Sequence, residues 1–525
     1  MKTIAKLMCL LAIASTAGCS KEATDAYQED LSDSNSVGHE MIVLGRKLDD
    51  PYSVENMTRA VSNLYPTKAG RIDITPTDVY VRFLPQDEGE YKTLESLGFD
   101  LIDHPLDYQI IKDGDYYRDP AISDDEITWQ YAVVPHGTSL PADIEHEVLD
   151  NCFIPRAGTR SGDGIDWDAV EAESFRITGN SNLLQPGTRG VSGYPEGRIT
   201  IVDKNANGGK AFGLAGVKVV CNTFVKFSSA YTDRDGYYKI DREFTSNPRY
   251  RLMFTNKEKF SIGFNLILIP ASMSALGTGP ASGIDVEITE SSERKLWCRS
   301  VVNNAAYDYI MRCGEEDMNI LRPPKGLRIW LFQKMRASSA VMMKQGAFIE
   351  NSLIKSFLGE YSALIRLFLP DITLGLKDKG DYSRIYSLTC HELAHASHFA
   401  KVGKDYWDNY IFYIISSFVS SGGETYGNGT GKGAGYCEVG EMWGYYMQNA
   451  LFHDRYGGTM PIAGTRYWFR PQIFRYLEER GLSRSEIFAS LTDETIDRNS
   501  LKAKLLELYP TKSTIILEVF ERYAQ

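Results

Sequence analysis

Cys390-His-Glu-Leu-Ala-His-Ala-Ser-His398 is the stretch on which the reading of this chain turns. Inside it His391, Glu392 and His395 stand as H-E-x-x-H. On a helix, positions i and i+4 lie one turn apart on the same face, so the two imidazoles can meet one metal ion. Neutral imidazoles suit Zn2+ and leave coordination positions open. Glu392 lies a step further round, where a carboxylate can take a proton from a water at an open position. The flanks predict a single helix: Asp381 and Ser383 are N-cap candidates, Ile385, Leu388 and Leu393 make an apolar stripe, and Gly403 is a stop. The competing reading is a buried helix with incidental histidines. It has to place three of the chain's 8 histidines within eight positions of one another.

A zinc site needs a third ligand. The metzincin pattern asks for a Gly six residues after the Glu and a His ten after the first His; His398 and Lys401 occupy those places, so it fails. His398 is two turns along from His391, which suits a supporting or surface role. The remaining source is a carboxylate from a later helix. Residues 437–449, Cys-Glu-Val-Gly-Glu-Met-Trp-Gly-Tyr-Tyr-Met-Gln-Asn, read as such a helix, closed by Gly457. Glu438 and Glu441 are three apart and both can face the first helix.

With its two short motifs, His391-Glu392-x-x-His395 and Glu441-Met-Trp-Gly-Tyr-Tyr, the chain resembles the gluzincin class of zinc metallopeptidases. The resemblance covers about the last 230 residues. It implies His391, His395 and Glu441 as ligands of one Zn2+ and Glu392 as general base. Trp443 takes the place of the family's aromatic residue, and Gly444 that of the small residue that lets the helices approach. Tyr445 stands where the family often has an acid. Glu438 remains the rival third ligand.

The opening Met1-Lys-Thr-Ile-Ala-Lys followed by a short apolar run reads as an export signal, too short to span a membrane. Thr16-Ala17-Gly18-Cys19 resembles a bacterial lipobox, which implies lipidation at Cys19 and an outer-membrane lipoprotein, on the periplasmic side or the cell surface. Residues 1–18 are then the signal peptide and 19–39 a polar tether. Net charge is −12, with no basic cluster, which argues against a nucleic-acid partner. No C-x-x-C occurs among the cysteines, and buried thiols are expected.

The expected fold is multidomain α+β. Residues 40–155 predict an α+β domain, with helices at 55–64, 88–97 and 143–149 and strands at 78–84 and 127–134. His104, His136 and His146 read there as surface or capping residues. Residues 156–195 are rich in Gly, Ser, Asn and Pro and read as a linker with one short helical patch at 167–175. Residues 196–290 change to short strands and turns, with Asp235-Gly236 as a hairpin signal. Gly197-Arg-Ile-Thr-Ile-Val-Asp, Gly213-Leu-Ala-Gly-Val-Lys-Val-Val and Thr232-Asp-Arg-Asp-Gly-Tyr-Tyr-Lys-Ile together resemble the carboxypeptidase regulatory-like domain, a transthyretin-like β-sandwich. Asp203, Asp233 and Asp235 read as turn-forming acids rather than a calcium site. Residues 293–525 are expected to be a mainly helical, zincin-like domain with a small sheet, including strands at 327–332 and 364–369. The second of these is the candidate to border a substrate cleft. Between the ligand helices, 421–435 carries seven glycines and reads as a flap.

These readings lead to zinc-dependent hydrolysis of a protein or peptide by a membrane-anchored lipoprotein. Tyr426, Tyr445, Tyr446 and Tyr467 are the candidates for stabilising an oxyanion. The alternative is a cell-surface adhesion or glycan-associated binding lipoprotein with a degenerate peptidase fold.

Overall fold

A computed structural model describes residues 41–67, 72–123, 126–156, 164–184, 192–264, 270–333, 336, 338–347, 368–421, 426–458 and 467–523. Cys19, the lipobox and the tether lie outside the described residues. The described chain mixes helices and sheets, and its C-terminal region is helical. Among the described residues no helix is long and apolar enough to cross a membrane.

The N-terminal region runs β1 (Val43–Lys47), α1 (Val54–Leu64), β2 (Asp78–Leu84), α2 (Glu88–Ser96), β3 (Tyr108–Lys112), β4 (Gln130–Pro135), β5 (Glu145–Cys152) and α3 (Trp167–Ile177). Strand β2 lies between β4 and β5, antiparallel to both, and β1 pairs with β3. Successive residues of a strand face opposite ways. Accordingly Val81 and Phe83 enter one core while Tyr80 enters another. The helix expected at 143–149 is instead strand β5. Its Glu and Leu residues favour helix locally, but the ladder to β2 prevails, and an edge strand tolerates the charges it turns to solvent. His104, expected at the surface, is buried with Nδ1 2.9 Å from Asp103 Oδ1.

Next come β6 (Glu196–Val202), β7 (Ala211–Gly213), β8 (Val217–Thr223), β9 (Lys226–Tyr231), β10 (Tyr237–Lys239), β11 (Arg249–Asn256), β12 (Phe260–Phe264), β13 (Met273–Thr278), β14 (Val286–Ile288), α4 (Arg294–Arg312), β15 (Leu327–Phe332) and β16 (Ile372–Gly375). One sheet has the order β10-β6-β14, with β7 on β6. The other has the order β16-β15-β12-β11-β8-β9, with β13 on β11. Asp235-Gly236 does not join a hairpin: β9 and β10 belong to different sheets, and the turn carries the chain between them. Gly236 has φ 77°, and a Cβ there would fall 2.0 Å from Ile199 O, so the position requires glycine. Asp233 Oδ1 accepts from the Asp235 and Tyr237 amides, a turn-forming role. Asp203 Oδ1 likewise accepts from the Asn205 amide at 3.0 Å, but Asp203 is also fully buried and its Oδ2 accepts from Arg455 and Tyr456, which the sequence did not signal.

The longer sheet crosses the boundary expected between 290 and 293. Phe260 to Phe264 of β12 run parallel to Leu327 to Leu331 of β15, and β15 continues parallel into β16. One hydrophobic core accordingly extends from Ile199 to Phe520. The opposite face of the same sheet receives the N-terminal region: Trp330 and Phe332 pack with Val81, Phe83 and Leu94, and Val220 and Phe227 with Tyr52, Tyr80 and Phe175. Helix α3, from the stretch expected as linker, is part of this packing and carries the buried ion pair Glu171–Lys226.

The helical region is α5 (Tyr382–Val402), α6 (Lys404–Ser421), α7 (Ala434–Tyr456), α8 (Gln472–Glu479), α9 (Arg484–Ala489), α10 (Arg498–Leu508) and α11 (Ser513–Arg522). Helix α5 has the expected caps: Asp381 accepts from the Arg384 amide, and Gly403 closes the far end. Residues 364–367 of the expected strand lie outside the described residues, and Phe368 and Leu369 are not in a strand. The strand ahead of α5 is β16. Its outer edge bonds Ser339 in both directions, at 2.8 and 2.9 Å.

Candidate metal centre

Helices α5 and α7 pack against each other along the motif. Trp443 Nε1 donates to Ala394 O at 3.1 Å and fixes their register. One residue on, Gly444 lies under the imidazoles. A Cβ at 444 would stand 2.8 Å from His395 Nε2 and 2.9 Å from His391 Cε1, so any larger residue there displaces the rings.

His391, His395 and Glu441 come together, all buried. His391 Nε2 and His395 Nε2 are 3.0 Å apart. Glu441 Oε2 is 3.6 Å from His391 Nε2, and its Oε1 is 3.7 Å from His395 Nε2. Donors about 2.0–2.1 Å from a tetrahedral Zn2+ lie roughly 3.3 Å from one another, which these separations bracket. His391 Nδ1 is 3.1 Å from Gln448 Oε1, an acceptor that assigns the proton to Nδ1 and turns the Nε2 lone pair inward. Tyr410 of α6 donates to Glu441 Oε1 at 2.6 Å. Glu441 Oε2 is buried with no hydrogen-bond partner among the described residues. A buried carboxylate oxygen and two facing imidazole nitrogens are costly unless a proton or a cation lies among them. The donor set therefore fits Zn2+.

The protonation states of His395 and Glu441 agree with this, whereas His391, opposed by burial, is held above its ordinary value by Glu441, Glu392 and Gln448. Burial pushes His395 down to about 3, which leaves it the neutral imidazole that a metal takes. Burial opposes the charged form of Glu441 too, but His395, His391 and Tyr410 outweigh it and hold the carboxyl below its ordinary value. Glu392 is pushed up to about 8 by burial, against the pull of His391 and with the help of Glu441. Its side chain lines the same cavity as the three candidate ligands, together with Ser338, Ser339, Ile411 and Tyr426. The space is about 10 Å³, close to what one water needs.

Glu438, the rival ligand, is engaged elsewhere: its Oε1 is 2.9 Å from Arg498 Nε and its Oε2 accepts from the Arg498 amide. His398 is not at the surface. It is fully buried between the rings of Tyr406 and Trp407, and burial pushes it to about 3. Tyr445 covers His391, with ring centroids 4.5 Å apart. Of the other tyrosines singled out, Tyr426 lines the cavity, Tyr467 packs on Tyr426 and Tyr445, and Tyr446 turns to Trp443 and Phe474. Tyr410 and Gln448 were missed by the sequence reasoning. Tyr410 sits in an apolar run that reads as core, and only the return of α6 brings it to Glu441. Residues 422–425 of the glycine-rich stretch lie outside the described residues. The part from 426 to 433 is tied down: Tyr426 O accepts from Tyr413 (2.9 Å) and from Trp468 (2.7 Å).

No protein-family model matches the chain, and no curated protein matches it.

Proposed function

We propose that the chain is a zinc-dependent peptide hydrolase of the gluzincin type, exported and held at the outer membrane through Cys19. The supporting observation is the convergence of two imidazole nitrogens and one carboxylate, with one of its oxygens unpartnered among the described residues, within 3.0–3.7 Å. His391, His395 and Glu441 hold the ion, and Zn2+ supplies the Lewis acidity that brings an attacking water into its reactive range near neutral pH. Glu392 accepts the proton of that water and later delivers it to the leaving amine. Its buried carboxyl is proton-avid, and a cation alongside lowers that avidity into the working range of a general base. Gln448 and Tyr410 keep the donors oriented. The segment at Ser338 and Ser339, beyond the edge of β16, is the part of the sheet that borders the cavity and takes the place expected of 364–369 as the rim of a peptide cleft.

Metal analysis of purified protein tests this directly. The wild type is expected to hold about one zinc per chain and His395→Ala about none. Glu392→Gln is expected to keep its zinc and to lose roughly 10²–10⁴-fold in cleavage of a protein substrate. Wild-type protein that binds no stoichiometric zinc would return the chain to the binding-lipoprotein alternative.

A further inference from the structure

Strand β11 sends Tyr250 and Leu252 into the main core, so Arg251 between them points the other way, toward the N-terminal region. Arg251 is 2% exposed, yet no carboxylate lies within ion-pair distance among the described residues. Among the described residues its single side-chain hydrogen bond runs to Asn222 Oδ1 at 3.3 Å. The two nearby acids are engaged elsewhere. Asp113 takes Arg249 at 2.8 Å, and Asp103 takes His104 and the Tyr117 amide. Arg249 in turn has a buried Nε with no hydrogen-bond partner among the described residues. Burial and the neighbouring Arg249 push Arg251 down to about 10, against the pull of Asp113 and Asp103. A buried guanidinium without a counter-charge is costly, and fold stability gives no reason to keep one.

Arg251 lines a pocket of about 310 Å³ between the long sheet and the N-terminal region, at the lower end of the size range of small-ligand sites. Arg46 and Arg249 line it as well, Arg249 already paired with Asp113, so three arginines and, among the described residues, no carboxylate line the space. Asn182 and Asn247 bring amides, and Tyr108 and Phe224 bring rings. Guanidinium groups pair with planar oxyanions. Amides both donate and accept, as hydroxyls do. We infer that this pocket binds an acidic sugar unit, its carboxylate on Arg251 and Arg249 and its hydroxyls on the asparagine rim. The inference does not rest on the metal centre, which shares no lining residue with this pocket.

Calorimetric titration of the full chain with glucuronate, glucose and inorganic phosphate tests it. Glucuronate is expected to bind roughly ten- to a hundredfold more tightly than either of the others. Arg251→Met is expected to weaken glucuronate by a similar factor. Arg46→Glu and Asn182→Asp, on the exposed rim, are expected to weaken it severalfold to tenfold, and they decide the matter if Arg251→Met does not fold. Absence of glucuronate binding, equal binding of glucose or phosphate, or indifference to the rim variants would overturn the assignment.

Discussion

Glu171 and Glu441 are both glutamates on helices, both almost wholly buried, and they end in opposite conditions. Glu171 receives Lys226 Nζ at 2.9 and 3.2 Å and the Tyr52 hydroxyl, so a positive charge and a phenol answer it. Glu441 faces two imidazoles and one phenol, none of them a fixed cation, and keeps one oxygen orphaned. The first is a closed knot between α3 and β9. The second, on the function proposed above, would supply three of a metal ion's four ligands. Burial of a carboxylate therefore says little by itself; the identity of the groups that answer it separates a structural contact from a site.

That contrast breaks most sharply under paired substitution. Lys226→Met strands Glu171 and is expected to cost about 3–5 kcal/mol in chemical denaturation, with metal content unchanged. Glu441→Gln is expected to do the reverse: zinc falls to about none per chain, while the metal-free protein loses less than about 1 kcal/mol. If the two variants behave alike, the distinction drawn between the carboxylates is wrong. Next in size is Gly444→Ala, whose methyl would meet both imidazoles. It is expected to reduce zinc affinity about 100-fold in competition with a chelator and to leave Lys226 and Glu171 untouched. Tyr410→Phe removes only a hydrogen bond to Glu441 and is expected to cost about tenfold in the same assay.

The smallest effect is one of acidity. Burial opposes the charge on Glu171, but Lys226 and the Tyr52 hydroxyl outweigh it, so its folded pKa lies below the ordinary 4.5. The unfolded chain then binds the proton first as pH falls. The stability contributed by Glu171 is full above about 4.5 and is lost on going through the lower folded value. In denaturation at a series of pH values, the wild type should lose up to about 1.4 kcal/mol per pH unit from this group below that point. Lys226→Met should show a shallower acid limb.

The helix that carries the candidate ligands could be read from the chain because everything that defines it is local: an N-cap, a stop, and two histidines one turn apart. The choice of Glu441 over Glu438 could not, since it depends on the rotation of α7. That rotation is set by the close approach at Gly444 and by Arg498, which holds Glu438 from 60 residues away. Strand β5 was misread for a related reason, its residues favouring one structure and its partner imposing another. The parallel pairing of β12 with β15 left no mark at all, because parallel neighbours have no tight turn between them to betray the contact.

The shared sheet also bears on what a protease could achieve by cutting this chain. A nick anywhere between Thr289 and Glu293 would sever the backbone while five residues of β12 stayed zipped to β15. The two pieces would migrate separately only after denaturation, and clipping there could not release the helical part as a soluble fragment.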